Sequence, residues 1–413
     1  MKDAFKAAKI ADNVHWVGAI DWAVRDFHGY STRRGTTYNA YLILAEKITL
    51  IDTVKAPFQD EMLARIASVI EPEKIDYVIS NHAEMDHSGC LPQVIQAVRP
   101  EKVFASANGA EALEQHFHLD GRIVAVQDGQ DLSLGGAKLT FLETRMLHWP
   151  DSMFSYLNDE KLLFSQDGFG MHLASYERFD DELDEGLLER EAAKYYANIL
   201  LPLSNFVTKC LQRIGELGLE LRIIAPDHGP IWRTGARKIV DLYGRWARQE
   251  RTDKAVVVYD TMWKSTERMA RAIGEGLHAG GARAQLMPMS GCHRSDVAAE
   301  LLDAGALIAG SPTINNTMFP SMADVLTYIK GLRPRNLIGA AFGSYGWGGE
   351  ATKDVRAVLE SMRVELVDEP LRLRYVPDSS GLRQCYDLGV KVARRLAEKI
   401  KESSSKGASG AAP

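Results

Sequence analysis

The sequence predicts a two-domain α/β protein, an N-terminal α/β sandwich followed by a doubly wound parallel sheet. Three observations carry this reading. The chain has 413 residues, more than one ordinary hydrophobic core accommodates. Its first 250 or so residues mix strand–loop–helix units with hairpins, which suits a sandwich better than a purely parallel sheet. From Ala255 onward, continuous apolar runs end in polar or glycine-rich loops and alternate with helices, as in a parallel sheet covered on both faces.

In chain order, "TTYNAYLIL" and "KITLIDTV" read as strands joined by a turn at Ala45-Glu46-Lys47. "KIDYVIS" is a buried strand running directly into Asn81-His82, and a helix starting near Ser88 carries Leu91, Val94, Ile95 and Val98 at helical spacing. After Pro100 come a strand "KVFAS", a helix "ANGAEALEQHF", and strands in "RIVAVQ", "LSLGG" and "AKLTFLET". Helices are expected over Glu182–Tyr196, Phe206–Leu217 and Ile239–Glu250, with "LRIIAPDHGP" a strand ending in a loop. A polar junction, Gln249 to Lys254, closes the first domain, giving boundaries of 1–250 and 251–401. In the second, "AVVVY", "RAQLMPM", "ALIAGSPT" and "LIGAAFGSYGWGG" are strands followed by loops, with a helix over Thr266–His278 after the first. This is a doubly wound sheet of the flavodoxin type. The Ser-, Gly- and Ala-rich tail, 402–413, is expected to be disordered.

Composition excludes several classes. Hydrophobic residues are 46% and charged residues 25%, as in globular proteins, and the net charge is −6 with no basic stripe, which argues against nucleic acid as a partner. No apolar run reaches the roughly 18 residues needed to span a bilayer, and the N-terminus lacks the apolar core of a signal peptide, so a cytoplasmic setting is expected. Cys90, Cys210, Cys292 and Cys385 are far apart with no CxxC, which excludes a rubredoxin-like or zinc-ribbon module and favours four small buried side chains.

Chemistry concentrates in Asn81-His82-Ala83-Glu84-Met85-Asp86-His87-Ser88-Gly89, four potential metal ligands within six residues at the end of a strand. An extended loop would turn residues 82, 84 and 86 the same way, leaving His87 at the helix start to face a neighbouring metal. A polar surface loop with Ser88 or Asp86 as helix cap would use the same residues. Matching ligands at other strand ends weigh against it: His148 in "LHWPDS", Asp167 in "LLFSQDGFG" and His228 in "APDHGP". His116 and His118 stand without other ligands and read as helix-end residues. Trp16, Trp22, Trp232 and Trp246 read as core or interface packing; Trp149 adjoins His148.

In the second domain, Thr261-Met262-Trp263-Lys264-Ser265-Thr266 offers hydroxyls and backbone N–H groups ahead of a helix, a cradle for phosphate. It has neither the glycines of a dinucleotide fingerprint nor a Walker sequence, which argues against NAD and ATP. Two further loops, Ser311-Pro312-Thr313-Ile314-Asn315-Asn316 and Ser344-Tyr345-Gly346-Trp347-Gly348-Gly349, offer small residues for close approach to a flat ring, with Tyr345 and Trp347 to flank it.

The metal motif resembles the metallo-β-lactamase fold, an αββα sandwich, and specifically its flavodiiron branch, also called A-type flavoproteins or rubredoxin:oxygen oxidoreductases. Hydrolases of that fold usually carry HxHxDH; here the second position is Glu84, a harder oxygen ligand, and a mixed imidazole–carboxylate set suits non-haem iron. The resemblance implies that His82, Glu84 and His148 hold one iron and Asp86, His87 and His228 another, with Asp167 bridging; His87 is the position at which some relatives leave the metal unbound. It also implies roles for Tyr195 in "KYYANI", as a hydrogen-bond donor to bound substrate or product, and for His28 in "RDFHGY". The first loop of the second domain resembles the FMN phosphate loop, with Lys264 where flavodoxins often carry Gly. The implied cofactors are FMN and two iron ions. The implied reactions are reduction of dioxygen to water and of nitric oxide to nitrous oxide, with electrons from a rubredoxin-type donor. The implied assembly is a head-to-tail homodimer or a dimer of dimers. The rival readings are a zinc hydrolase with a flavodoxin-like appendage, disfavoured by Glu84 and by the complete flavin loops, and an electron carrier with a vestigial metal site, disfavoured by the full ligand set.

Overall fold

The computed structural model describes residues 4–409. The chain forms two compact units, Met1–Tyr196 with Leu203–Ala247, and Ala197–Pro202 with Arg248–Pro413.

The first unit contains two main sheets. One runs in the spatial order β1 (Ala8–Ala11), β2 (Val14–Trp16), β3 (Tyr41–Ile43), β4 (Thr49–Ile51), β5 (Tyr77–Ser80), β6 (Lys102–Ser106), β7 (Ile123–Val126). Pairing is antiparallel from β1 to β4 and parallel from β4 to β7. The other sheet is β8 (Asp131–Ser133), β9 (Lys138–Glu143), β10 (Met153–Leu157), β11 (Leu162–Phe164), β12 (Ile223–Ala225), antiparallel except for its last pair.

The period-two geometry of a strand decides which side chains meet. Tyr41, Ile79 and Phe104 join Phe141 and Phe164 of the second sheet in one core. Their neighbours Leu42, Val78 and Val103 face the opposite way, onto Leu91, Val94, Ile95 and Val98 of the helix Leu91–Val98. Both faces are buried, so these strands read as continuous apolar runs. On the far side of the second sheet, Cys210 and Ile214 of the helix Ser204–Glu216 meet Leu142 and Phe154. The result is an αββα sandwich.

In the second unit, β13 (Lys254–Tyr259), β14 (Arg283–Pro288), β15 (Ala306–Gly310), β16 (Ile338–Tyr345) and β17 (Glu365–Leu366) form a parallel sheet ordered β14-β13-β15-β16-β17. A further strand, β18 (Leu371–Arg374), also pairs with β16 in parallel. This is the 2-1-3-4-5 order of flavodoxin-like folds. Val256 and Val258 pack into the core on one face, Ala255, Val257 and Tyr259 into that on the other.

Two sequence expectations are corrected, on the metal loop and on the tail, and one strand the sequence did not signal is added. The metal loop is extended only as far as Glu84: a one-turn helix, Met85–Ser88, already contains Asp86 and His87, because Ser88 donates its hydroxyl to the Ala83 and Glu84 carbonyls and tightens the turn. β10 escaped the sequence reading because all five of its residues are buried and show no alternation. The tail is helical as far as Ser409, continuing the helix Ser379–Ser409 that packs closely on Ser265–Ala279; residues 410–413 of the expected disordered segment lie outside the described residues. Trp22 is 47% exposed and contacts Tyr176 at a ring-centroid distance of 5.1 Å, whereas Trp16, Trp232 and Trp246 are buried as expected. None of the four cysteines is in a disulfide; Cys90 and Cys385 are buried as expected, whereas Cys210 and Cys292 are only partly buried. His118 caps its helix in a left-handed conformation. Among the described residues, no helix is long and apolar enough to cross a membrane.

Candidate functional site

The first unit gathers all seven ligand candidates at the ends of its strands. β5 leads into Asn81, whose backbone and side-chain nitrogens donate to Asp52 at 2.6 and 2.8 Å and whose side-chain amide oxygen accepts from the Ser155 hydroxyl at 2.7 Å. That clamp fixes where His82 and Glu84 emerge. His148 lies between β9 and β10, Asp167 follows β11, and His228 follows β12.

The ligand atoms fall into two groups, His82/Glu84/His148/Asp167 and Asp86/His87/His228. In the first, His148 Nε2 is 3.0 Å from Glu84 Oε2 and 3.0 Å from Asp167 Oδ2, and His82 Nε2 is 3.3 and 3.4 Å from the same two oxygens. In the second, His87 Nε2 is 3.4 Å from Asp86 Oδ1 and His228 Nε2 is 3.1 Å from Asp86 Oδ2. Asp167 Oδ1 faces this second group, 3.2 Å from His87 Nε2 and 3.4 Å from His228 Nε2. One carboxylate therefore presents one oxygen to each group, which is the geometry of a bridge.

Imidazole orientation is set from behind. His82 Nδ1 is 2.9 Å from Asp151, which also accepts the Ala83 N–H at 2.7 Å; His228 Nδ1 donates to the Thr37 carbonyl at 2.6 Å. In each case Nε2 is left to face the ligand cluster, the arrangement that metal-binding histidines use.

The cluster is buried and charged. Asp86, His87 and Asp167 are at most 3% exposed, yet both Asp86 oxygens, both His87 nitrogens and Asp167 Oδ1 lack a hydrogen bond: the contacts above are close but poorly aligned. Buried polar atoms are normally paired, so orphans converging on one point fit metal ions. Three carboxylates with four imidazoles form a hard, mixed donor set that suits iron. Burial alone would lower the pKa of His82, but the Asp151 and Glu84 carboxylates overcome it and push the group up to about 10. Burial likewise opposes ionisation of Asp167, but the surrounding imidazoles, His87 foremost, hold it well below the carboxylate range.

Tyr195, at the end of the helix Glu185–Tyr195, is buried with its ring 6.1 Å from that of His228. Burial and the Asp167 charge hold its hydroxyl well above the usual range, so it stays a donor. His28 reaches the cluster from outside, its Nε2 2.8 Å from Glu84 Oε1 and its side chain 64% exposed. Trp149 packs on the His82 ring at 5.1 Å.

Asp52, Asp151, Asp227 and His172 escaped the sequence reading. His172 is buried with its ring 4.8 Å from His228 and 5.0 Å from Tyr195, and its Nδ1 is 2.9 Å from the Thr36 hydroxyl. Asp151 and Asp227 had a signal, since each lies within three residues of a ligand histidine. Asp52 and His172 had none.

In the second unit, a cavity of about 550 Å³ opens where β13, β15 and β16 end. Met262, Trp263, Ser265, Pro312, Thr313, Ile314, Asn315, Asn316, Ser344, Tyr345, Gly346, Trp347 and Gly348 line it. Three expected residues do not. Thr266 lies beneath, its hydroxyl 2.9 Å from Ser344 Oγ; the Thr261 hydroxyl is buried without a hydrogen bond; and Gly349 turns the third loop at φ +98°. Tyr375 and Val376, after β18, line the cavity without having been expected to. Lys264 adopts φ +68° as the cap of the helix Ser265–Ala279, the backbone state that a glycine at this position would adopt readily. Asn315 and Asn316, at φ +49° and +60°, form the tip of a hairpin between Thr313–Ile314 and Thr317–Met318. Apolar walls beside a helix N-terminus suit a flat ring carrying a phosphate.

Comparison with known proteins agrees with the fold of both units. The family described as "ODP family beta lactamase" matches residues 36–229, and the flavodoxin family matches residues 257–389. The chain is 47% identical over 393 residues to a protein named nitric oxide reductase from Moorella thermoacetica, covering 94% of this chain and 98% of that one. Its fold matches the solved rubredoxin oxygen:oxidoreductase of Desulfovibrio gigas with a TM-score of 0.94 and 47% identity, over 96% of this chain and 100% of that one. It matches the flavodiiron protein of Giardia intestinalis with a TM-score of 0.93 and 34% identity, over 96% and 98% of the two chains.

Proposed function

The chain belongs to the flavodiiron protein family, and from that premise we propose that it is an oxidoreductase that reduces dioxygen to water, nitric oxide to nitrous oxide, or both. Its cofactors are FMN and a pair of iron ions. The observation that carries the reading is Asp167, with one oxygen toward each of two ligand groups.

His82, Glu84 and His148 would hold one iron, Asp86, His87 and His228 the other, and Asp167 both; residues 1–250 carry this centre. Residues 251–401 carry the FMN site, with Ser265 and the helix N-terminus behind it placed for the phosphate and the loops of Pro312–Asn316 and Ser344–Gly349 for the ring. When bound, FMN and the iron pair together supply up to four electrons, the number that takes dioxygen to two waters and twice what couples two nitric oxide molecules.

The chain's own groups have separable tasks. Buried Asp86, His87 and Asp167 keep bulk water from the reacting gas. Tyr195, held protonated, donates a hydrogen bond toward the substrate. His28, exposed on one side and touching Glu84 on the other, relays protons from solvent. A rubredoxin-type protein is the donor we propose, from the name of the Desulfovibrio gigas relative. A head-to-tail homodimer, or a dimer of dimers, is the proposed assembly, because the two cofactor sites belong to different units of one chain.

The test is anaerobic reduction of the FMN- and iron-loaded protein, followed by rapid mixing with each gas. Reoxidation by at least one gas, with its consumption, is expected; a reduced protein inert to both refutes the reading.

A further inference from the structure

The backing of the ligand histidines is uneven, and the weakest case points to a residue outside the ligand set. His82 is held by Asp151, itself anchored by the Ala83 N–H, and His228 by a backbone carbonyl. His87 has no such support. Both of its ring nitrogens are buried and lack a hydrogen bond. On its Nε2 side stand the Asp86 and Asp167 carboxylates; on its Nδ1 side, 3.3 Å away, stands Asp227 Oδ2.

Asp227 is fully buried, and neither of its carboxylate oxygens has a hydrogen bond. Its backbone is pinned from both sides, the N–H donating to the Gln166 carbonyl at 2.8 Å and the carbonyl accepting from the Asn39 N–H at 2.7 Å. The side chain is thus delivered to one place, behind His87. An unpaired buried carboxylate is costly, so its position needs a partner.

We propose that Asp227 is the positioning residue that makes His87 a ligand of the second iron. This rests on the diiron reading above. A neutral imidazole carries one N–H; with Nε2 given to a metal, the proton sits on Nδ1, and Asp227 is the acceptor facing it. Metal on one side and carboxylate on the other satisfy three of the four orphaned atoms: the two ring nitrogens are paired, and Asp227 Oδ2 gains its donor. Without Asp227, the ring has no acceptor behind it, and Nδ1–H is no longer favoured over the tautomer that blocks Nε2. His82 and the first iron keep their own carboxylate, so the effect is confined to one metal position.

Ferrous iron alone, titrated anaerobically into metal-stripped, FMN-loaded full chain, tests this by iron stoichiometry and Mössbauer spectroscopy. The parent is expected to take up two irons. Asp227→Ala is expected to keep the first and to bind the second about 10–100-fold more weakly. Only one of the two Mössbauer components should fade, whereas a general loss of structure would weaken both. Asp227→Asn, whose amide oxygen still accepts from Nδ1–H, is expected to fall between the two. Two irons bound by Asp227→Ala with parental affinity would overturn the assignment. If that variant does not fold, parental affinity in Asp227→Leu, which removes the acceptor while filling the space, would overturn it as well. Fewer than two irons in the parent would instead overturn the diiron reading itself.

Discussion

The two sites of this chain are built on opposite plans. The candidate metal centre is a buried knot of ionisable side chains, held from behind by side chain or backbone, as Asp151 holds His82 and the Thr37 carbonyl holds His228. The flavin pocket is an open cradle of loops and a helix N-terminus, and two of its aromatic side chains, Trp263 and Trp347, are 89% and 87% exposed. Residue identity therefore governs the first and backbone conformation the second. A substitution in the metal centre should strike function and charge balance together; one at the flavin rim should strike affinity and leave the fold alone.

The largest expected effect is from Glu84→Ala. Removing a ligand carboxylate that faces His82 and His148 should lower gas reduction by at least about 100-fold while the FMN content per chain stays at the parental value. Loss of flavin in this variant would erase the contrast, since the sites would then not be independent.

Tyr195→Phe separates chemistry from assembly. Iron content should be unchanged, and turnover should fall by about 10–100-fold for loss of one buried donor, as measured by steady-state gas consumption. Equal turnover would make Tyr195 a packing residue.

Trp347→Ala examines the open site. The side chain is almost wholly exposed, so stability in urea should change by less than roughly 0.5 kcal/mol. FMN, whose pocket it lines, should bind about tenfold more weakly by fluorescence titration. A large loss of stability would show that the rim is structural after all.

The smallest effect is thermodynamic. His82 is raised from 6.5 to about 10, so in metal-stripped protein its ion pairs stabilise the fold fully below pH 6.5, and that contribution is lost as pH rises through about 10. Asp151 is lowered from 3.8, burial notwithstanding, because His82 pairs with it; its contribution is present above that pH and lost in stronger acid. Melting temperature of the stripped protein should therefore fall by roughly 5 °C between pH 6.5 and 10. Iron requires neutral imidazole, so over the acid-to-neutral part of the range the loaded protein should gain stability as pH rises. Parallel curves would mean that the histidines do not exchange protons for metal.

Much of the candidate metal cluster was legible in the sequence because its seven side chains sit where strands end, and strand ends are marked by apolar runs giving way to polar residues, as in "YVISNHAEMDH" and "IIAPDHG". The flavin loops were legible for the same reason, three times over. What escaped reading was of two kinds. β10 lacks alternation because both of its faces are covered, and Tyr375 and Val376 follow a strand that carries no loop motif. Asp86 was placed on an extended loop because its helix is one turn long, shorter than any periodicity can reveal.

The sequence alone determined the kinds of ligand, their order along the chain and the succession of the two folds, because those depend on local pattern and on the choice of Glu84 over histidine. Tertiary structure decided which oxygen of Asp167 faces which group, that Asp52 clamps Asn81 across 29 residues, and that Asp227 stands behind His87. Such contacts join side chains that are remote in sequence. Their partners become definite only when two sheets close on a shared core and bring those buried charges together.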